Sequence, residues 1–319
     1  MAIVALPVFI LLFVLALRNP NGVGIPGGFS TINLFDFFFN SAQRSPTDIL
    51  YENYTLWLVL YSVAQVLFYT DPLKRLFKYA KFNPHYPSLS LICAEFLRSA
   101  RGVLICSCYE ILFYMFISRP GYEPWRIDHI IPSTITRGDV NSVKLIMSAL
   151  LVYLWSDAHF YWTHRILHTP WLYKNVHKYH HESFNPDPFS GLSMHPLESA
   201  VYFSAALLLG LCGCPAWLVR LVFKGLIIFP LEGHSGYGSW HVESSNNHYI
   251  HHSKFNWNYG SSPMWDHLCG TAYPTGRAGP HAAQRHEQSM SKREKEALVQ
   301  ASMVGCDIAD LRDGISKRE

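Results

Sequence analysis

The stretch HRILHTPWLYKNVHKYHH, residues 164–181, places five histidines in eighteen positions, directly after an apolar run. His164 and His168 form HxxxH, one helical turn apart. His177, His180 and His181 form HxxHH, and His248, His251 and His252 repeat that pattern further along. Spacings of three and four set side chains on one side of a helix, where imidazole nitrogens can converge on a metal. An isolated HxxxH reads as solvated or hydrogen-bonded side chains. Three such clusters read as a metal site, and imidazole suits iron as well as zinc and copper.

The rest of the chain says where that site lies. Of 319 residues, 49% are hydrophobic and 15% charged, against about 25% charged in soluble proteins. Mean hydropathy is +0.07. This composition predicts an integral membrane protein with a sizeable polar part. A net charge of +3 with no long basic run argues against nucleic acid as a partner. The seven cysteines include no CxxC pair, so they read as small buried hydrophobes rather than disulfides or a zinc site. Histidine is the outlier, with seventeen in all and thirteen between positions 159 and 267.

Apolar runs occupy 2–17, 55–69, 102–117 and 145–168, followed by a pair at 201–211 and 216–229 flanking CGCP. The first lacks a basic start and an adjacent cleavage site, so it is read as a retained helix, spanning or interfacial. Lys74, Arg75, Lys78 and Lys81 follow the second run and mark that end as cytosolic. Counting onward, the third run leaves the cytosol and the fourth returns to it, so His164 and its neighbours emerge on the cytosolic face. The last pair reads as a hairpin that dips in and returns, bringing His248 to His252 to the same side. Arg220 and Lys224 make its second arm a poor lipid-facing helix, and Glu110 inside the third run reads as a paired structural group. The sequon at Asn53 abuts the second run too closely to be used. Three regions follow: 1–140 with membrane helices, 141–274 with the histidines and hairpin, and a polar tail at 275–319 with a soluble helix near 283–303.

Other residues join the candidate site. His195 in SMHPLE and His234 in LEGHSGYG each sit beside a hairpin end and are read as further ligands. Asp157 shares a narrow helical arc with 161, 164 and 168, so it is expected to orient a nearby histidine by accepting from its non-ligating nitrogen. His159, His241 and His267 read as structural or orienting groups, and His85, His129, His281 and His286 as solvated.

HRILH, HKYHH and HYIHH in that order resemble the histidine boxes of the fatty acid hydroxylase/sterol desaturase superfamily. LYKNVHKYHH resembles that family's second box, and FNWNYGSSPMWDHLCGT, residues 255–271, the stretch after its third. The resemblance covers about 145–272. Asn247 stands where many members have a leading histidine, and His267 where arginine is common. The resemblance implies an all-α endoplasmic-reticulum membrane protein with about four spanning helices and a cytosolic histidine-rich helical cap. It also implies a non-haem di-iron centre, two iron ions per chain, that uses O2 to oxidise an unactivated C–H bond of a lipid. His164, His168, His177, His180, His181, His248, His251 and His252 are the matching box ligands, with His195 and His234 at further positions of the pattern. PDPFSGLSMHP, residues 186–196, resembles sterol C5-desaturases, whereas HPLE and HSGY resemble C4-methyl oxidases and cholesterol 25-hydroxylases. A sterol substrate is therefore the first expectation, with desaturation and hydroxylation both open.

The chain has no HPGG haem motif and no GxGxxG nucleotide motif, so the resemblance implies a separate cytochrome b5 and its NAD(P)H-dependent reductase as electron donors. Lys174 and Lys178 are candidate contacts for such a donor. The nearest rival is a fatty acyl or sphingoid lipid hydroxylase of the same superfamily. A membrane zinc hydrolase needs a glutamate beside its histidines, as in HExxH, and no box has one. A metal transporter or haem-binding protein predicts histidines spread along membrane helices.

Overall fold

The computed structural model describes residues 44–70, 81–82, 86–120, 142–183, 185–237 and 243–273. The first apolar run, the polar tail and His85, His129, His241, His281 and His286 lie outside the described residues.

Five long helices carry the fold: α1 Pro46–Tyr69, α2 Leu89–Ile117, α3 Ser142–Leu167, α6 Pro196–Leu211 and α7 Ala216–Ile228. Short elements lie between and after them: α4 Pro170–Leu172, a π-helical turn Tyr173–His177, α5 Lys178–His181 and a 3-10 turn Pro188–Leu192. After α7 come α8 Pro230–Gly233, α9 Glu243–Lys254 and α10 Pro263–Leu268. Among the described residues there is no strand beyond the isolated bridge Lys81–Tyr237.

The first two helices begin earlier than their apolar runs because polar caps start them. Ser45 caps α1 in a reciprocal capping box with Asp48, and Pro46 follows with its ring preset for a helix. Ser88 accepts from the Leu91 N–H at 3.3 Å to start α2. Hydrophobicity marks only the middle of a helix, whereas its start is set by satisfying the first free N–H groups.

The long helices alternate in direction, and contacts at their ends show it. Tyr69 at the end of α1 donates to the carbonyls of Pro186 (2.6 Å) and Ser235 (3.1 Å). Near the start of α2, Arg98 pairs with Glu182 at 2.6 Å and Ser99 donates to the Phe189 carbonyl. α3 ends with the first histidine box, α6 begins after His195, and α7 runs into the Pro230–His234 turn. All five therefore share one end, where the histidines collect. One apolar core runs through the bundle, including Trp57, Phe113, Phe203, Trp217 and Phe223.

Outward faces are apolar too. Val143, Ile146, Met147, Leu150, Leu151 and Leu154 leave a continuous exposed stripe on α3. Among the described residues one helix, Leu89–Ile117, is long and apolar enough to cross a membrane. Lys81, one of the four cations placed on the cytosolic surface, is instead buried. Its ammonium donates to Asn185 Oδ1 at 2.9 Å and lies within 6 Å of the Tyr69, Tyr86 and Tyr237 rings.

At the far end of the bundle α7 carries its two cations inward. Arg220 and Lys224 are fully buried, and each lies 3.0 Å from a Glu110 oxygen. Arg220 also pairs with Glu52, and Lys224 with Asn53. Asn53 Nδ2 donates to Ser107 (3.1 Å) and Glu110 (2.9 Å), so the sequon asparagine is consumed by packing.

Candidate metal centre

Nine histidines meet at the shared helix end in two groups. His164, His168, His177, His181 and His251 form the first, and His180, His234, His248 and His252 the second. Within each group the candidate ligand atoms lie within 4.8 Å of one another. All but His168 are buried.

The nitrogens that face inward are the Nε2 atoms. In the first group His164–His177, His177–His181, His181–His251 and His251–His168 stand 3.1 to 3.2 Å apart. In the second, His234 lies 3.0 to 3.1 Å from His180, His248 and His252, and His248 lies 3.1 Å from His252.

The outer nitrogens explain why. His164 Nδ1–H donates to the Tyr259 carbonyl (2.7 Å), His251 to Trp257 (2.7 Å), His234 to Pro230 (2.9 Å) and His180 to Ser193 (3.4 Å). His177 Nδ1–H donates to Glu198 Oε1 at 2.7 Å. A carbonyl accepts but cannot donate, so these rings carry their proton on Nδ1 and a bare lone pair on Nε2. Burial lowers His177 to a pKa of about 3 and His234 to about 4, so both stay neutral. Burial likewise holds His180, His181, His248, His251 and His252 well below the usual histidine value. Bare lone pairs facing each other at 3.1 Å repel unless a cation lies between them. The donor sets thus fit metal ions.

Local sequence accounts for the sorting. Neighbouring residues on a helix diverge by about 100°, and residues four apart by about 40°. The pairs 164/168, 177/181 and 248/252 each stay within one group, while the adjacent histidines 180/181 and 251/252 split between the two. The boxes therefore interleave rather than each holding its own ion. The π-helical turn Tyr173–His177 adds a residue to the ladder where the second box begins, a distortion common at functional sites.

Two of the expected site residues lie apart from both groups. His195 joins neither group: it caps α6, its Nδ1 accepting from the Leu197 N–H at 3.2 Å, with its ring against Tyr179. A histidine just before Pro196 sits where a helix needs an acceptor, and that local demand takes its ring. Asp157 is buried but orients no histidine; it accepts from Ser261 Oγ (2.7 Å) and from Ser262 N (3.0 Å) and Oγ (2.7 Å). It thereby anchors the segment after Tyr259, whose carbonyl holds His164. His159 bonds Ser204 Oγ at 3.1 Å, away from both groups, and His267 is exposed. Glu198 was missed, although its place in HPLE beside a candidate ligand was a usable signal.

Comparison with known proteins agrees with the site. Residues 149–271 match the family model described as fatty acid hydroxylase. Fatty acid hydroxylase domain-containing protein 2 of Homo sapiens is 37% identical over 114 residues, 35% of this chain and 34% of that protein. Lathosterol oxidase of Rattus norvegicus is 28% identical over 186 residues, covering 54% and 59%. Methylsterol monooxygenase 2-1 of Arabidopsis thaliana is 38% identical over 138 residues, covering 42% and 48%. The chain thus spans between about a third and three-fifths of these relatives' lengths. No solved structure matches it. Over residues 149–271, then, the chain carries a domain of the fatty acid hydroxylase/sterol desaturase superfamily.

Proposed function

We propose that this chain is a multi-pass membrane oxygenase of the endoplasmic reticulum that uses O2 to hydroxylate or desaturate a lipid, with a sterol as the first candidate. The observation that carries it is the pair of groups of converging Nε2 atoms, five of them on rings whose outer nitrogen is held by an acceptor. His164, His168, His177, His181 and His251 would hold one iron, and His180, His234, His248 and His252 the other. When bound, such a redox-active pair supplies the means to activate O2 and attack an unactivated C–H bond.

The chain's own part is to hold and aim. Tyr259, Trp257, Pro230, Ser193 and Glu198 fix the tautomers from behind. Burial keeps the imidazoles neutral and excludes bulk water. The helices that share this end set the site at one depth, with the apolar stripe of α3 turned to lipid, so one carbon of a membrane-held substrate can be presented. The catalytic region in this reading is 141–274, the α6/α7 hairpin is one of about four spanning units, and the histidines face the cytosol. Electrons come from a separate cytochrome b5 and its NAD(P)H-dependent reductase.

The named sterol enzymes among the relatives support the sterol reading. The human relative, named only for its fatty acid hydroxylase domain, supports a fatty acyl or sphingoid substrate as the alternative. The purified protein is to be assayed for iron, then incubated with cytochrome b5, reductase, NADPH and O2 on sterol and acyl-lipid panels. Iron-dependent oxidation of a sterol is expected. Product on acyl lipids alone selects the alternative, and turnover independent of iron removes the reading.

A further inference from the structure

We propose that Glu198 is a positioning residue of the five-histidine group: acting through His177, its carboxylate strengthens metal binding there and not in the four-histidine group. This rests on the metal-centre reading above. Glu198 Oε1 accepts the His177 Nδ1–H at 2.7 Å, and both side chains are buried. The other acceptors that orient these rings, on Tyr259, Trp257, Ser193 and Pro230, are neutral backbone carbonyls. Glu198 is thus the one carboxyl acceptor among those bonds, the rest being backbone carbonyls, and it serves only the first group.

A carboxylate behind an imidazole pushes electron density toward the opposite nitrogen and makes it a better ligand. The opposite nitrogen here is His177 Nε2, 3.1 Å from both His164 and His181 Nε2 within that group. Glu198 Oε2 is buried with no hydrogen-bond partner. A negative charge so placed is costly unless a positive charge lies nearby, and a cation across the His177 ring supplies one.

A competing role exists in the fold. Glu198 stands in the first turn of α6, where an acidic side chain favours the helix dipole. The two roles separate when metal is removed. If Glu198 only serves the helix, Glu198→Gln destabilises the metal-free protein and touches metal binding unselectively. If it acts through His177, the metal-free protein is as stable as the parent, because glutamine still offers an oxygen to the Nδ1–H.

The test is anaerobic titration of the full-length, detergent-solubilised, metal-free protein with Co(II), followed by its optical bands, beside thermal melts without metal. The parent is expected to show two binding events. Glu198→Gln should weaken one by about 10–100-fold, leave the other unchanged and melt like the parent without metal. Glu198→Asp, which keeps the charge, should retain more affinity than Glu198→Gln. Unchanged affinities, equal weakening of both events, the reverse order of Asp and Gln, or a destabilised metal-free Glu198→Gln each overturn the Glu198 role alone. A parent that binds no metal overturns the metal-centre reading and this inference with it.

Discussion

At the residue scale, what distinguishes five of these histidines, 164, 177, 180, 234 and 251, is the commitment of their outer nitrogens. His195 has the same side chain but spends its ring on a helix cap, whereas His234 donates to Pro230 and faces three other Nε2 atoms. His234→Ala is therefore expected to lose the metal of the four-histidine group and abolish turnover. His195→Ala should keep both metals and lose only about 0.5–2 kcal/mol from the α6 cap. Metal analysis of the two purified variants separates them, and equal metal loss would contradict the sorting. Acid offers a second check. His177 and His234 have folded pKa values of about 3 and about 4, below the ordinary histidine value. As pH falls the unfolded chain takes up their protons first, so stability is complete above about pH 6.5 and declines toward pH 4 and below. Unfolding of the metal-free protein across that range should steepen by up to about 1.4 kcal/mol per pH unit for each such histidine; a flat profile counts against neutral burial.

At the element scale, the segment after the third box acts as a clamp. Phe255 and Asn258 adopt positive φ, a bend that turns the Trp257 and Tyr259 carbonyls toward His251 and His164. Asp266 holds the bend by accepting from Tyr259 N (2.9 Å), Gly260 N (2.8 Å) and Thr271 Oγ1 (2.7 Å). Asp266→Asn turns an amide toward donors, and is expected to cost about 1–3 kcal/mol and loosen the five-histidine group first. Thermal melts with metal counting test this; full metal content at unchanged stability would show that the clamp is dispensable. The close fit continues on the other side of the site. A Cβ on Gly191 would lie 2.8 Å from the Pro230 oxygen that holds His234, so glycine is required where the 3-10 turn crosses α8.

At the scale of the whole molecule, the histidine end is matched by the buried ionic group at the opposite end. From Tyr69 back to Asn53 along α1 is about 24 Å, so the two polar sites lie well apart in one bundle. Glu110 is where Arg220 and Lys224 converge. Removing it leaves two buried cations short of a partner, and Glu110→Ala is expected to cost about 3–5 kcal/mol. Melting in detergent measures that loss, and a neutral effect would mean that Glu52 and Asn53 suffice.

Much of this was legible beforehand, and the limits fall at one physical boundary. Box histidines declare themselves because a ligand pair four residues apart is a local property of a helix. The apolar runs likewise declared the helix interiors, and Glu110 with Arg220 and Lys224 declared that something inside the bundle must neutralise them. The sequence by itself thus pointed to the box histidines and His234 as residues that come together, to a helical and apolar chain, and to the superfamily that residues 149–271 match. Only the tertiary structure decided that adjacent histidines serve different groups, that His195 caps a helix and that Asp157 ties down a loop. It alone placed Glu198 behind His177, twenty-one positions earlier in the chain. Those outcomes depend on which groups packing brings to the side chains, and residue spacing carries no record of a contact such as His168 with His251, eighty-three positions apart.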